Sequence, residues 1–233
     1  MNYALCYTLV MRYFQAIFIL SFVTFSLQAT VPKLSMDELA KIAEMGHVTR
    51  TIPIKDATWP KVEVKILINA TPLSSVAIFA AYDYQKNYVP NLTKSTIHKL
   101  LSPTQIQVEY ELKMPWPLSP AKSVNHHILS SPSQGHYQVS WTSISNTSAK
   151  EVEGRASFLP FPGKKNKTLM IYESRVVPKS FFAGIFRKLM VKDVEKSIKA
   201  TQKRTEELIQ QKSTILIDYE NKIIKALKGK NPY

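Results

Sequence analysis

The run "KVEVKILINA" (61–70) alternates, with Val62, Val64, Ile66 and Ile68 spaced by two. That period places all four on one face of an extended chain and predicts a half-buried strand. In "TPLSSVAIFAAYDY" (71–84) the period changes. Thr71 can cap a helix and Pro72 fits its first position, with Leu73, Val76, Ala77 and Ala80 as its apolar stripe. Upstream, "SMDELAKIAEMG" (35–46) predicts a short helix. Ser35 and Glu38 form a capping box, Leu39, Ile42 and Ala43 form the apolar face, and Gly46 ends it. "NYVPNL" breaks the second helix, because Pro90 disfavours helical geometry in the residue before it.

From residue 105 strand follows strand: "QIQVEYEL" (105–112), "KSVNHHIL" (122–129), "HYQVSWTSI" (136–144), "EVEGRASFL" (151–159) and "KTLMIYESRVV" (167–177). Most of the links are short and turn-like, which predicts antiparallel hairpins. From Ser180 to about Gln211 the spacing becomes helical, through Phe182, Ile185, Phe186, Leu189, Met190, Val194, Ile198 and Leu208. A further helical stretch carries Leu216, Tyr219, Ile223 and Leu227 on one stripe. The order predicts an α+β helix-grip arrangement. A curved antiparallel sheet wraps around a long C-terminal helix and leaves an internal hydrophobic cavity suited to a small apolar molecule.

One strand runs into "MPWPLSPAKSV", where Pro115, Pro117 and Pro120 surround Trp116. Proline is excluded from the middle of a sheet, so a strand ends here and the chain crosses to the next. Together with the element order, this segment resembles the START lipid-transfer domains and their bacterial polyketide-cyclase-like relatives, the SRPBCC helix-grip superfamily. In START domains a Pro-aromatic-Pro-Leu-Ser segment is followed by a polar residue and Arg-Asp. Pro115 to Ser119 match, and Pro120, Ala121 and Lys122 replace the charged half. Asp83, Tyr88 and Pro90 in "AAYDYQKNYVPNL" resemble the end of the family's first helix, and residues 154–178 resemble its last hairpin. The resemblance spans roughly residues 35–210. It implies a tunnel between sheet and last helix that binds a lipid or another hydrophobic ligand. A polyketide cyclase-like enzyme using the same pocket is the alternative. Ligand-lining residues expected on this basis are Tyr110, Trp116, Trp141, Phe182, Phe186, Leu189 and Met190, with Trp116 near the cavity rim.

Composition adds compartment and charge. Arg12 is the only charged residue among the first 29, and "AIFILSFVTFSLQA" ends at Ala29, the pattern of a secretory signal peptide. The expected organisation is a signal at 1–29, a START-like domain at 30–211 and a basic helical extension at 212–233. The protein is then periplasmic or secreted, with a retained N-terminal anchor as the alternative. Cleavage removes the only cysteine, Cys6, which excludes thiol nucleophiles and cysteine-based metal sites from the mature chain. The net charge is +14, and residues 179–233 carry 13 Lys/Arg against 6 Asp/Glu. That tail fits an anionic membrane surface, or solvated lysines alone. A third reading is an envelope interaction protein with a vestigial pocket and a membrane-binding tail. Nucleic acid is not an expected partner, because the basic tail has few aromatics to stack bases, and the protein is expected to be a monomer.

No serine elbow, Gly-rich phosphate loop or His-Glu-x-x-His spacing occurs, so no catalytic residue, cofactor or metal is expected. His126 and His127 are adjacent in a strand and point to opposite faces. One of them faces the interior, where it could bond a ligand headgroup, and either beside Tyr110 is the one candidate acid–base cluster. Glu153 with Arg155 and Glu173 with Arg175 predict a cross-strand ladder. It lies on a solvated outer face or, if buried in the tunnel, Arg155 and Arg175 offer a polar end for a ligand.

Overall fold

The protein is described here from a computed structural model. The described residues are 34–233, without 56, 117 and 180 and without the side chains of 181 and 182. The expected leader, Cys6 and the Phe182 side chain lie outside them.

Helix α1 (Met36–Met45) forms as its capping pattern predicts. The Ser35 side chain accepts from the Glu38 N–H, and Gly46, at φ 78°, returns its N–H to the Ile42 carbonyl. Strands β1 (His47–Ile52) and β2 (Lys61–Ile68) pair antiparallel. Helix α2 (Pro72–Phe79) follows, capped by Thr71, which accepts from the Ser74 N–H. Then come β3 (Leu92–Ser102), β4 (Gln105–Leu112), β5 (Ala121–Ser133), β6 (His136–Asn146), β7 (Ala149–Pro160) and β8 (Thr168–Pro178). A 3₁₀ segment (Phe181–Phe186) leads into α3 (Arg187–Gln210) and α4 (Thr214–Leu227). The eight strands form one open, curved antiparallel sheet in the order β1-β2-β8-β7-β6-β5-β4-β3.

Two strands and two boundaries depart from the sequence expectation. The edge strands β1 and β3, "HVTRTI" and "LTKSTIHKLLS", were not expected. An edge strand pairs on one side only and tolerates polar residues on both faces. In β3 the register also shifts between Leu92 and Lys94, Ile97 and Lys99, and Leu100 and Ser102, and bulges erase a period of two. Helix α2 ends at Phe79, short of residue 84, and α3 begins at Arg187.

Alternation divides the sheet into two faces. The concave face carries Val62, Val64, Ile66, Val108, Val139, Ala156, Phe158 and Met170, all buried, which pack with α2, Ile198 of α3 and Ile223 and Ala226 of α4. The convex face holds a smaller cluster of Ile42, Leu67, Phe161, Leu169 and Ile171, covered by α1. One concave row crosses the strands as Val62, Ser174, Gly154, Trp141, His127 and Ile106. Gly154 is required in it. A Cβ there would lie 2.3 Å from Trp141 Cζ2 and 2.5 Å from the Glu173 carbonyl oxygen. Its absence lets the indole approach the β7 backbone.

Residues 212–233, expected as an extension, are built into the domain. Leu216 packs with Ile78 and Leu208, Ser74 Oγ donates to Glu220 Oε1 at 2.5 Å, and Tyr219 OH donates to Asp83 Oδ1 at 2.8 Å. Burying side chains such as Leu216 and Ile223 contributes about 1.5–3 kcal/mol each. The lysines of this segment face solvent or stack, Lys222 lying 4.4 Å from the ring centre of Tyr219 and 5.0 Å from that of Tyr233.

Candidate functional site

The concave face is apolar apart from Tyr172 and Ser174 on β8 and a polar cluster in its β4–β6 half. There His127 is buried, with its ring centre 4.6 Å from that of Tyr82, 5.8 Å from Tyr110 and 6.2 Å from Trp141. Its Nε2 shares a hydrogen bond of 3.2 Å with Tyr110 OH. Its Nδ1 has no partner, and neither has Asn125 Oδ1, two residues earlier on the same face. An unsatisfied buried polar group costs about 1–3 kcal/mol. Two of them side by side in an aromatic lining are therefore informative. Burial, aided by the charge of neighbouring His126, pushes the His127 imidazole down to about 3, so it is neutral at physiological pH. Burial likewise raises the Tyr82 and Tyr110 phenols.

His127 borders a small cavity of about 30 Å³. Its wall is completed by Ala77 and Ala80 at α2, by Ile106 and Leu129 of the sheet, and by Ile223, Ala226 and Tyr233 from the C-terminal segment. That volume holds about one water molecule. Phe79, Trp141, Phe158 and Tyr172 fill the adjoining space, with ring centres between 5.3 and 6.5 Å apart.

The expected lining residues separate. Tyr110 and Trp141 lie on the concave face and meet through His127. Met190 packs against the main core, and Phe186 is half-buried. Leu189 is 37% exposed, because the buried stripe of α3 runs through Met190, Val191, Val194 and Ile198 and passes it by. Trp116 is not at a cavity rim. It is 92% exposed, on a turn closed by the Leu118 N–H to the Pro115 carbonyl. Arg155 and Arg175 are also outside the interior. They alternate with Gly154, Ala156 and Ser174, so they lie on the convex face. The ladder forms there, in register, with Glu153 opposite Arg175 and Arg155 opposite Glu173. Arg175 Nη1 meets Glu153 at 3.1 Å, and Glu173 bonds both Arg155 and Lys61. Burial raises the Glu173 carboxyl, but the bonds from Lys61 and Arg155 outweigh it and hold it below the usual range. A shallow convex groove of about 320 Å³ runs over this ladder.

Tyr82, Asn125 and the C-terminal wall were missed by sequence reasoning. Asn125 had a signal, since it shares parity with His127 in β5. Tyr82 and Tyr233 had none, because chain crossings bring them to the cavity.

No protein-family model matches the chain, and no curated protein matches it in sequence. Solved structures are similar in fold. The STAR-related lipid transfer protein of Xanthomonas axonopodis superposes with a TM-score of 0.61 at 13% identity, covering 69% of this chain and 93% of that one. Human StAR-related lipid transfer protein 5 gives 0.58 at 10% identity, covering 74% and 95%. The Zhui aromatase/cyclase from Streptomyces gives 0.54 at 10% identity, covering 64% and 94%. The chain has the START-like helix-grip fold.

Proposed function

We propose that this protein binds a lipid or another hydrophobic molecule between the concave sheet and its helices, and does no covalent chemistry there. The observation that carries this reading is the pair of unpartnered polar groups, His127 Nδ1 and Asn125 Oδ1, facing an otherwise apolar and aromatic interior. The START-like fold supports it, as do the lipid-transfer names of two similar structures. Tyr110 and His127 form the one titratable pair joined by a hydrogen bond among the described concave residues. Both are held neutral by burial, which suits recognition better than proton transfer near pH 7. The pocket of about 30 Å³ is too small for a lipid, so the ligand enters by displacing the wall made by α4 and Tyr233. We extend the reading to export on the strength of the leader sequence, and a mature chain starting at residue 30 would support that part.

Titration of the full mature chain with Nile red tests the reading. Saturable uptake of one equivalent, competed by dodecane, is expected. Absence of saturable uptake would overturn it. The small cavity favours a second reading, an interaction protein in which the interior stays closed, and that reading predicts the negative result.

A further inference from the structure

We propose that the site takes the uncharged, hydrogen-bonding end of an apolar molecule, a hydroxyl in particular, and places that oxygen on His127 Nδ1. This rests on the ligand-binding reading above and names the ligand's chemical class.

Four observations carry it. First, His127 is 6% exposed, borders the cavity, and has a free Nδ1. Its other nitrogen is engaged by Tyr110, so the ring is oriented and only Nδ1 is left to meet a ligand. Second, the hydrogen-bond arithmetic selects a hydroxyl. If Tyr110 donates to Nε2, Nδ1 carries the proton and needs an acceptor. If Nε2 donates to the phenol oxygen, Nδ1 is a bare acceptor and needs a donor. A hydroxyl satisfies Nδ1 in either tautomer, whereas an ether or ketone satisfies only the first.

Third, nothing ionic awaits a charged headgroup on this face. The described concave positions of β2 and β4–β8 are apolar or neutral, from Val62, Val64 and Ile66 through Ser174, Trp141 and Asn125 to Tyr110. Charges of the same strands, among them Lys61, Glu109, Glu153, Arg155, Glu173 and Arg175, alternate onto the convex face and pair there. A carboxylate or ammonium brought to His127 would be desolvated with no counter-charge from the sheet, at a cost above that of a neutral hydroxyl. Fourth, the one charged side chain on the cavity wall, Lys222, is already engaged over the rings of Tyr219 and Tyr233.

The test uses the full mature protein and four twelve-carbon probes, 1-dodecanol, dodecane, dodecanoate and dodecylammonium, each competed against bound Nile red. Dodecanol is expected to bind roughly tenfold tighter than dodecane, the worth of one buried hydrogen bond that also relieves an unsatisfied group. Both ions are expected to bind more weakly than dodecanol. His127→Phe should bring dodecanol to within twofold of dodecane. Nitrogen-15 NMR of the wild-type imidazole gives a readout independent of whether that variant folds. The Nδ1 resonance should move with dodecanol and stay in place with dodecane. Equal or tighter binding of dodecanoate or dodecylammonium would overturn the inference and leave the binding function standing. So would an unmoved Nδ1 resonance. Failure of all four probes, dodecane included, would remove the binding function itself.

Discussion

Acidification should destabilise this protein through one buried imidazole. An unperturbed histidine titrates near 6.5, and burial in the aromatic cluster pushes His127 down to about 3. Between those values the unfolded chain binds a proton that the folded chain refuses. Stability therefore falls as pH drops through 6.5 toward 3, with a slope approaching ~1.4 kcal/mol per pH unit. Integrated from pH 7.5 to pH 5, this single group removes about 2 kcal/mol. Urea unfolding of wild type and His127→Phe at the two pH values isolates it, because every other titrating group is common to both chains. A phenyl ring fits among Tyr82, Tyr110 and Trp141 without needing a partner for Nδ1. The wild type should lose about 2 kcal/mol more than the variant over this interval. Identical losses would refute the reasoning and place His127 in contact with water or with a carboxylate.

Gly154→Ala should cost about 3 kcal/mol or more in denaturant unfolding, since the added carbon meets the Trp141 ring and a backbone carbonyl that cannot withdraw; an unchanged midpoint would contradict the Trp141 placement. Leu216→Ala should cost about 2–4 kcal/mol if α4 is core, and a near-neutral effect would mean that α4 is a detachable tail. Trp116→Ser should change stability by less than about 0.5 kcal/mol, given its exposure, and a larger loss would mean the ring packs against the domain.

The legible parts of the chain were those where one residue decides. Ser35, Thr71 and Gly46 cap helices by local hydrogen bonds that need no tertiary partner, so their positions could be read directly. Period two in β2 and β4 likewise put Val62 to Ile68 and Ile106 to Tyr110 on the concave face. The faces of β7 and β8 were harder. Arg155 and Arg175 could be called polar and co-facial, but which face looks inward depends on register with β2, where Val62 pairs with Ser174. Trp116 misled for a similar reason. A large apolar ring predicts burial on average, while this one sits on an exposed turn between β4 and β5. The wall formed by Ile223, Ala226 and Tyr233 was out of reach, since α4 reads as an amphipathic helix whose partner, α2, is about 140 residues away in sequence.

Native mass spectrometry of the protein, purified without detergent and then exposed to 1-dodecanol, tests the account most directly. The account predicts a species heavier than the chain by one bound small molecule, co-purified or dodecanol, which is lost on denaturation. A spectrum showing the chain mass alone before and after exposure would contradict it.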